Sequence, residues 1–172
     1  MIGIRPESPE DIDFLDSLLE AAFSRPDEAQ IVRRLRDTPD LILSLVAESH
    51  GALVGHIMFS RAAAVSESST AQLACLAPMA VHPSRQRLGL GAALIRRGLE
   101  IVRQLKFPAV IVVGPPAYYS RFGFSPEAAA LLDCPYSGPF LQALDLAPGF
   151  LASLGPARLI LASPLMPPPP SQ

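Results

Sequence analysis

Leu76-Ala77-Pro78-Met79-Ala80-Val81-His82-Pro83-Ser84-Arg85-Gln86-Arg87-Leu88-Gly89-Leu90-Gly91-Ala92-Ala93-Leu94 contains the end of a strand, a glycine loop and the start of a helix. The apolar run from Gln72 to Val81 reads as a long strand. The loop spans His82 to Gly91. The helix then runs to about Leu105, with Leu94, Ile95, Ile101, Val102 and Leu105 inward and Arg96, Arg97, Glu100 and Arg103 outward. A glycine loop between strand and helix has the physical logic of an anion site. The first helical turn carries unpaired N–H groups and the positive end of the dipole. Gly89 and Gly91 let the backbone approach an anion without a Cβ in the way. Arg85 and Arg87 add positive charge at the rim.

Upstream, Ile2–Arg5 reads as a strand. Ser8-Pro9-Glu10-Asp11 reads as a helix start, with Ser8 as cap and Asp11 as the capping-box acid. Ile12, Leu15, Leu18, Leu19, Ala22 and Phe23 keep helical spacing, and a second helix is expected over Glu28–Asp37. Leu41–Glu48 and Leu53–Ser60, joined by the turn Ser49-His50-Gly51, form an antiparallel hairpin. Ala62–Thr70 is small and polar and reads as a loop. Downstream, Ala109–Val113 is a continuous apolar run, the pattern of a strand covered on both faces. Pro116–Phe122 reads as a short helix and Phe124 as the start of another strand. Phe140–Leu146 and Arg158–Ser163 read as late strands, and Pro126–Pro139 has no clear assignment.

The chain has 172 residues, the length of one domain, and no linker divides it. A chain this long buries about 70% of its extended surface and needs no disulfide or metal to fold. With 49% hydrophobic and 17% charged residues, general disorder is excluded. No run of 18 apolar residues suggests a membrane span, and the acidic start lacks the regions of a secretory signal, so a cytoplasmic protein is expected. Cys75 and Cys134 fit neither a disulfide framework nor a metal site. The net charge of −2 is uneven: residues 68–126 hold seven bases against the single acid Glu100, a net +6, which leaves −8 for the rest. A basic segment in an acidic chain points to a local anionic ligand rather than a nucleic-acid face.

Three nucleotide readings of the loop compete. A P-loop needs Gly-Lys-Ser/Thr, and no lysine stands here. A dinucleotide fold places its glycines after the first strand with an acid about 20 residues on, whereas this loop is mid-chain and no acid lies near Ala109–Val113. The third is Gln/Arg-x-x-Gly-x-Gly/Ala, a pyrophosphate loop for acyl-coenzyme A (CoA). The segment Leu76–Leu94 resembles the central motif of the GNAT superfamily of N-acyltransferases. Pro116-Ala117-Tyr118-Tyr119-Ser120-Arg121-Phe122-Gly123-Phe124 resembles that superfamily's Tyr-x-x-x-Gly-Phe motif. The two occur in the family's order and spacing, and the likeness covers about Ile2–Phe124, being closest to the YhbS-like branch of acetyltransferases.

The resemblance implies a single α/β (α+β) domain over residues 1–165, with a mixed, mostly antiparallel sheet, splayed central strands and flanking helices. The proline-rich residues 166–172 are expected to be a tail. It implies acetyl-CoA as cosubstrate and no metal. The pantetheine arm would lie along Met79, Ala80 and Val81. The pyrophosphate would sit on the amides of Arg87, Leu88, Gly89, Leu90, Gly91 and Ala92, with Gln86 at the entry. A strand N–H near Met79 or Val81 would stabilise the oxyanion. Tyr119, four residues before Gly123, takes the place of the family's general acid, with Tyr118 in reserve. Pro78 interrupts a strand that otherwise reads as central, which a bulge or a splayed neighbour tolerates.

The family often places a glutamate base on the fourth strand, and Gln72–Val81 has none. Glu48, His56, His82 or a water relay are the alternatives. Cys75 lies in the strand lining the gap and reads as a structural thiol. The family recognises acceptors through loops matching Phe23–Glu28 and Pro135–Pro139, which nominates Phe23, Arg25, Asp27 and Tyr136. The expected partner is a small-molecule or peptide amine, with no nucleic acid or membrane, and a homodimer in keeping with the family. The expected reaction is acetyl transfer from acetyl-CoA to a primary amine by direct attack. The rival reading is an acyl-CoA-binding regulatory module with little or no turnover.

Overall fold

The computed structural model describes residues 1–24 and 26–168. Strand β1 (Ile2–Pro6) leads through a 3-10 turn, Pro9–Asp11, into helix α1 (Ile12–Phe23). Asp11 accepts from the Ser8 N–H at 2.7 Å and is clamped by the Arg5 guanidinium, so the expected acid at this helix entry has two partners. Helix α2 (Asp27–Arg36) follows. Strands β2 (Leu41–Ser49), β3 (Ala52–Val65) and β4 (Thr70–Val81) form an antiparallel meander. Helix α3 (Leu90–Gln104), strand β5 (Ala109–Val113) and the short helix α4 (Pro116–Tyr119) complete the two sequence motifs. Strand β6 (Leu132–Asp133), strand β7 (Leu141–Asp145), helix α5 (Phe150–Leu154) and strand β8 (Ala157–Leu161) close the chain.

The sheet runs β1-β2-β3-β4-β5-β7, with β8 paired to the far half of β3 and β6 paired to β8. Only β4–β5 and β6–β8 are parallel, so the mixed, mostly antiparallel sheet expected from the resemblance is present. Residues 62–65, expected in a loop, continue β3. Ala62 and Ala64 are buried between β4 on one side and β8 on the other, and Ser66 and Ser69 close the hairpin. Small residues carry no strand signal of their own; pairing on both edges supplies it. Phe124 is buried but starts no strand: beside it only Ser125 bridges to Ala143. Helix α5 was not foreseen; it is too short for a period to show.

Two features set the position of the site. Helix α3 presses close onto β3, because Gly98 faces the ring of Phe59 where an added Cβ would come within 2.3 Å of it. The apolar layer beneath α3 includes Phe59, Leu94, Ile95 and Val102, all fully buried. Second, β4 and β5 pair only at Ala74–Val110 and Cys75–Ile111. From Leu76 onward β4 keeps β3 as partner but leaves β5. The register across β3–β4 slips between Ile57–Met79 and Phe59–Leu76, so Ala77 and Pro78 stand opposite the single residue Met58. Pro78 therefore occupies a bulge next to a splayed neighbour, where its missing N–H deprives no ladder.

Candidate active site

The splay opens into a cleft of about 840 Å³. Its floor is the end of β4, with Met79, Ala80 and Val81. One wall is the glycine loop and the first turn of α3, from which Gln86, Arg87, Gly89, Leu90, Gly91 and Ala92 line the space. The opposite wall comes from Pro115, α4 and the turn after it, and the end of α1 closes the rim with Ala22 and Phe23. Of the residues nominated for the cofactor, Leu88 alone does not line the cleft; its side chain is 64% exposed.

The loop is shaped to present amides. Arg87 and Gly89 both have left-handed backbone, φ +63° and +82°, flanking Leu88. For Gly89 this conformation is free, while Arg87 adopts it as a non-glycine residue. Among the described residues no backbone carbonyl outside the helix accepts from the N–H groups of residues 87–92, and the first turn of α3 has no intrahelical partner for its own. The amides of residues 87–92 are therefore without a backbone partner at the positive end of a helix of 15 residues. Gln86 donates to the Val81 carbonyl at 3.1 Å and ties the loop to the end of β4. Gly91 faces the opposite wall, and an added Cβ would lie 2.6 Å from the Tyr118 hydroxyl.

The charge of the cleft is one-sided. Arg85, Arg87 and Arg121 line it, and among the described residues no carboxylate or imidazole does. Arg121 stacks over Tyr118 with its guanidinium carbon 4.5 Å from the ring centroid, which fixes it without neutralising it.

The two tyrosines have different places. Tyr118 lines the cleft. Tyr119 does not: it is 8% exposed, edge-on to Tyr118, and packed against Phe124 and the Gly114 backbone. Burial first, then the neighbouring Tyr118 and Cys75, push its hydroxyl up to about 12. It thus stays protonated at neutral pH, near the thiol that marks where β4 and β5 part. The Cys75 thiol is likewise pushed up to about 12 by burial and is not a nucleophile.

None of the three candidate bases reaches the cleft. Glu48 is held by Arg5 at 3.2 Å, and with His82 it lines a separate cavity of about 380 Å³. His82 Nδ1 pairs with Ser84 Oγ at 2.9 Å. His56 is fully buried, with Nε2 2.9 Å from Ser44 Oγ and 3.5 Å from Glu7. Of the acceptor candidates, Phe23 lines the rim, Asp27 starts α2 without lining the cleft, and Tyr136 donates to the Leu165 carbonyl at 2.7 Å. Arg25 lies outside the described residues. Gly98 and Arg121 were not nominated from sequence. Arg121 falls within the tyrosine motif, and its unpaired charge was the available signal.

A family model described as an acetyltransferase (GNAT) domain matches residues 3–126. The chain is 36% identical over 136 residues to the uncharacterized N-acetyltransferase YhbS of Escherichia coli strain K12, covering 78% of this chain and 80% of that one. It is 39% identical over 121 residues to the uncharacterized N-acetyltransferase YjhQ of the same strain, covering 69% and 65%. The crystal structure of YhbS from E. coli in complex with CoA superposes with a TM-score of 0.85 at 31% identity, over 95% of this chain and 91% of that one. A GNAT acetyltransferase from Brucella melitensis in complex with acetyl-CoA gives 0.78 at 30% identity, over 95% and 97%. The motifs, the splayed sheet and these likenesses agree: the chain belongs to the GNAT acetyltransferase family.

Proposed function

We propose that the chain transfers the acetyl group of acetyl-CoA to a primary amine by direct attack. One observation carries the reading: the splay beyond Cys75–Ile111 opens into the same cleft that Arg87, Gly89 and the first turn of α3 line, a stretch whose amides have no backbone partner among the described residues. The edge that β4 no longer shares with β5 suits an extended pantetheine arm along Met79, Ala80 and Val81. The amides of residues 87–92, with Arg85 and Arg87, suit a pyrophosphate. YhbS with CoA and the Brucella enzyme with acetyl-CoA are relatives whose ligands have this shape and charge.

In the reaction the amine nitrogen attacks the thioester carbonyl. Alternate amides of a strand share an edge, so Met79 and Val81 offer N–H groups on one side, and either would stabilise the oxyanion. Collapse breaks the C–S bond. We assign the proton taken up by the departing thiolate to Tyr119, at the motif position just behind the wall, with the cleft-lining Tyr118 as its alternative, and the nitrogen loses one to water. The Tyr119 hydroxyl is suited to this because burial keeps it protonated.

The absence of a carboxylate or imidazole from the cleft lining favours a second reading, a binding module without turnover. Release of free thiol from acetyl-CoA in the presence of an amine panel separates the two. Turnover supports the transferase. Tight binding with no thiol release for any amine supports the module. We place the working unit in residues 1–165, because the Tyr136–Leu165 hydrogen bond ties the last turn to the body. Among the described residues no helix is long and apolar enough to cross a membrane, and we place the reaction in the cytoplasm with its donor.

A further inference from the structure

We infer that the acceptor is a primary amine of low basicity with no second positive charge, such as an α-amine beside a carbonyl, and not a lysine ε-amine or a polyamine. The inference rests on the acetyl-transfer reading above and names its substrate class.

An amine must lose a proton before it attacks, and the cleft has nothing to take it. The titratable groups around it are Arg85 and Arg87 from the loop, Tyr118 and Arg121 from the α4 side, and Tyr119 and Cys75 behind the wall. The arginines are cations, and burial keeps the Tyr119 hydroxyl and the Cys75 thiol protonated. The acids closest in sequence to the rim, Glu20, Asp27 and Glu28, do not line the cleft. Glu48, His56 and His82 are engaged elsewhere, as described. Three further carboxylates are engaged in the fold: Glu7 is bound by Arg36 and Ser44, Asp16 by Arg33, and Asp145 accepts from the Leu151 N–H at the start of α5.

The substrate must therefore arrive neutral. At pH 7 about one in seven α-amines is neutral, against about one in 2,500 lysine ε-amines, from ordinary pKa values of about 7.8 and 10.4. The more basic amine recovers part of this difference through its greater nucleophilicity. Arg85 and Arg87 are taken up by the pyrophosphate, which leaves Arg121 on the α4 side to act on what remains: it disfavours a second positive charge in the cleft and accepts a neutral or anionic substituent. Phe23, Met79 and Pro115 offer apolar contact for the rest of the acceptor.

The test uses two isomers on one scaffold. Nε-acetyl-lysinamide offers only an α-amine, and Nα-acetyl-lysinamide offers only an ε-amine. A neutral tetrapeptide and an aromatic amine are run beside them, to tell a peptide N-terminus from a small molecule. Thiol release from saturating acetyl-CoA gives kcat/KM for each from pH 6 to 10. The inference expects the α-amine isomer to be preferred at least tenfold at pH 7. It also expects each rate to rise with pH and to level off at that amine's own pKa, so the ε-amine gains on the α-amine above pH 8. A break at one pKa common to all amines, or equal rates at pH 7, overturns the inference and leaves acetyl transfer standing. Thiol release from none of them, with acetyl-CoA bound, overturns both readings together.

Discussion

Cys75 on β4 and Ile111 on β5 are the last pair in the parallel ladder that joins the two halves of the sheet. Two residues further along β4, Ala77 and Pro78 bulge opposite Met58. The bulge turns β4 just as its neighbour leaves, and the apolar face of α3 holds the glycine loop across the resulting opening. The wedge, the amide cluster and the bulge thus meet at one end of β4.

Gly89→Glu is the direct test of the amide cluster. Gly89 has φ +82° and no heavy atom near where a Cβ would lie, so a side chain fits in space but strains the backbone. The new carboxylate also opposes an anion at the helix start. Isothermal titration with CoA should show at least a tenfold loss of affinity, with the circular dichroism spectrum unchanged. Unchanged affinity would remove the loop from the binding site.

Tyr119→Phe tests the proton donor. The change keeps the ring that packs against Phe124 and Gly114 and removes only the hydroxyl. General acid catalysis of this kind is worth about 10²-fold or more, so kcat should fall by that order with KM for acetyl-CoA little changed. Tyr118→Phe, from the cleft wall, should act mainly on KM. The pH profile adds a sign. Because burial raises the Tyr119 pKa to about 12, its protonated form persists, and loss of this acid should not depress the rate anywhere below pH 10. A larger kcat loss in Tyr118→Phe than in Tyr119→Phe would exchange their roles.

How much of this was legible in sequence follows from what each residue has to do alone. Gly89 and Gly91 announced the loop because no other residue serves there as well, and Pro78 announced the bulge because no central strand accepts it. The Ala62–Ala64 extension of β3 was hidden, since alanines acquire strand character only from the β4 and β8 partners on either side. His56 was a plausible base while its surroundings were unknown. Its partners Ser44 and Glu7 lie 12 and 49 residues away in sequence and are brought to it by sheet register. Adjacent tyrosines could be ranked by motif spacing, but which ring faces the cleft depends on the turn of α4.

Gly98→Ala should reverse the usual sign of a glycine-to-alanine change in a helix. In an open helix it stabilises by about 1 kcal/mol. Here the added methyl meets the Phe59 ring at 2.3 and 2.7 Å, and Phe59 is fully buried in the core cluster beneath α3. Overpacking of this kind costs about 1–3 kcal/mol, a fall of about 3–10 °C in Tm by differential scanning calorimetry. A rise in Tm would mean that α3 stands further from β3 than described.

Glu7 gives the fold a defined acid limit. Its carboxylate is buried, which by itself opposes ionisation. Hydrogen bonds involving His56, Ser44 and Arg36 outweigh that and hold the carboxyl at about 2, below its ordinary 4.5. A folded-state pKa below the unfolded value means stability that is fully present above about pH 4.5 and lost as pH falls toward 2. The Asp11 carboxyl, clamped by Arg5, is lowered in the same sense, so acid unfolding of the wild type alone does not isolate Glu7. The comparison with Glu7→Gln does. Urea unfolding at pH 7 should place the variant about 2–3 kcal/mol below the wild type. That gap should close progressively between pH 4.5 and 2 as the wild-type carboxylate takes up its proton. A gap independent of pH across that window would show that the Glu7 charge contributes nothing, and that only its hydrogen-bonding shape holds Arg36 and Ser44 in place.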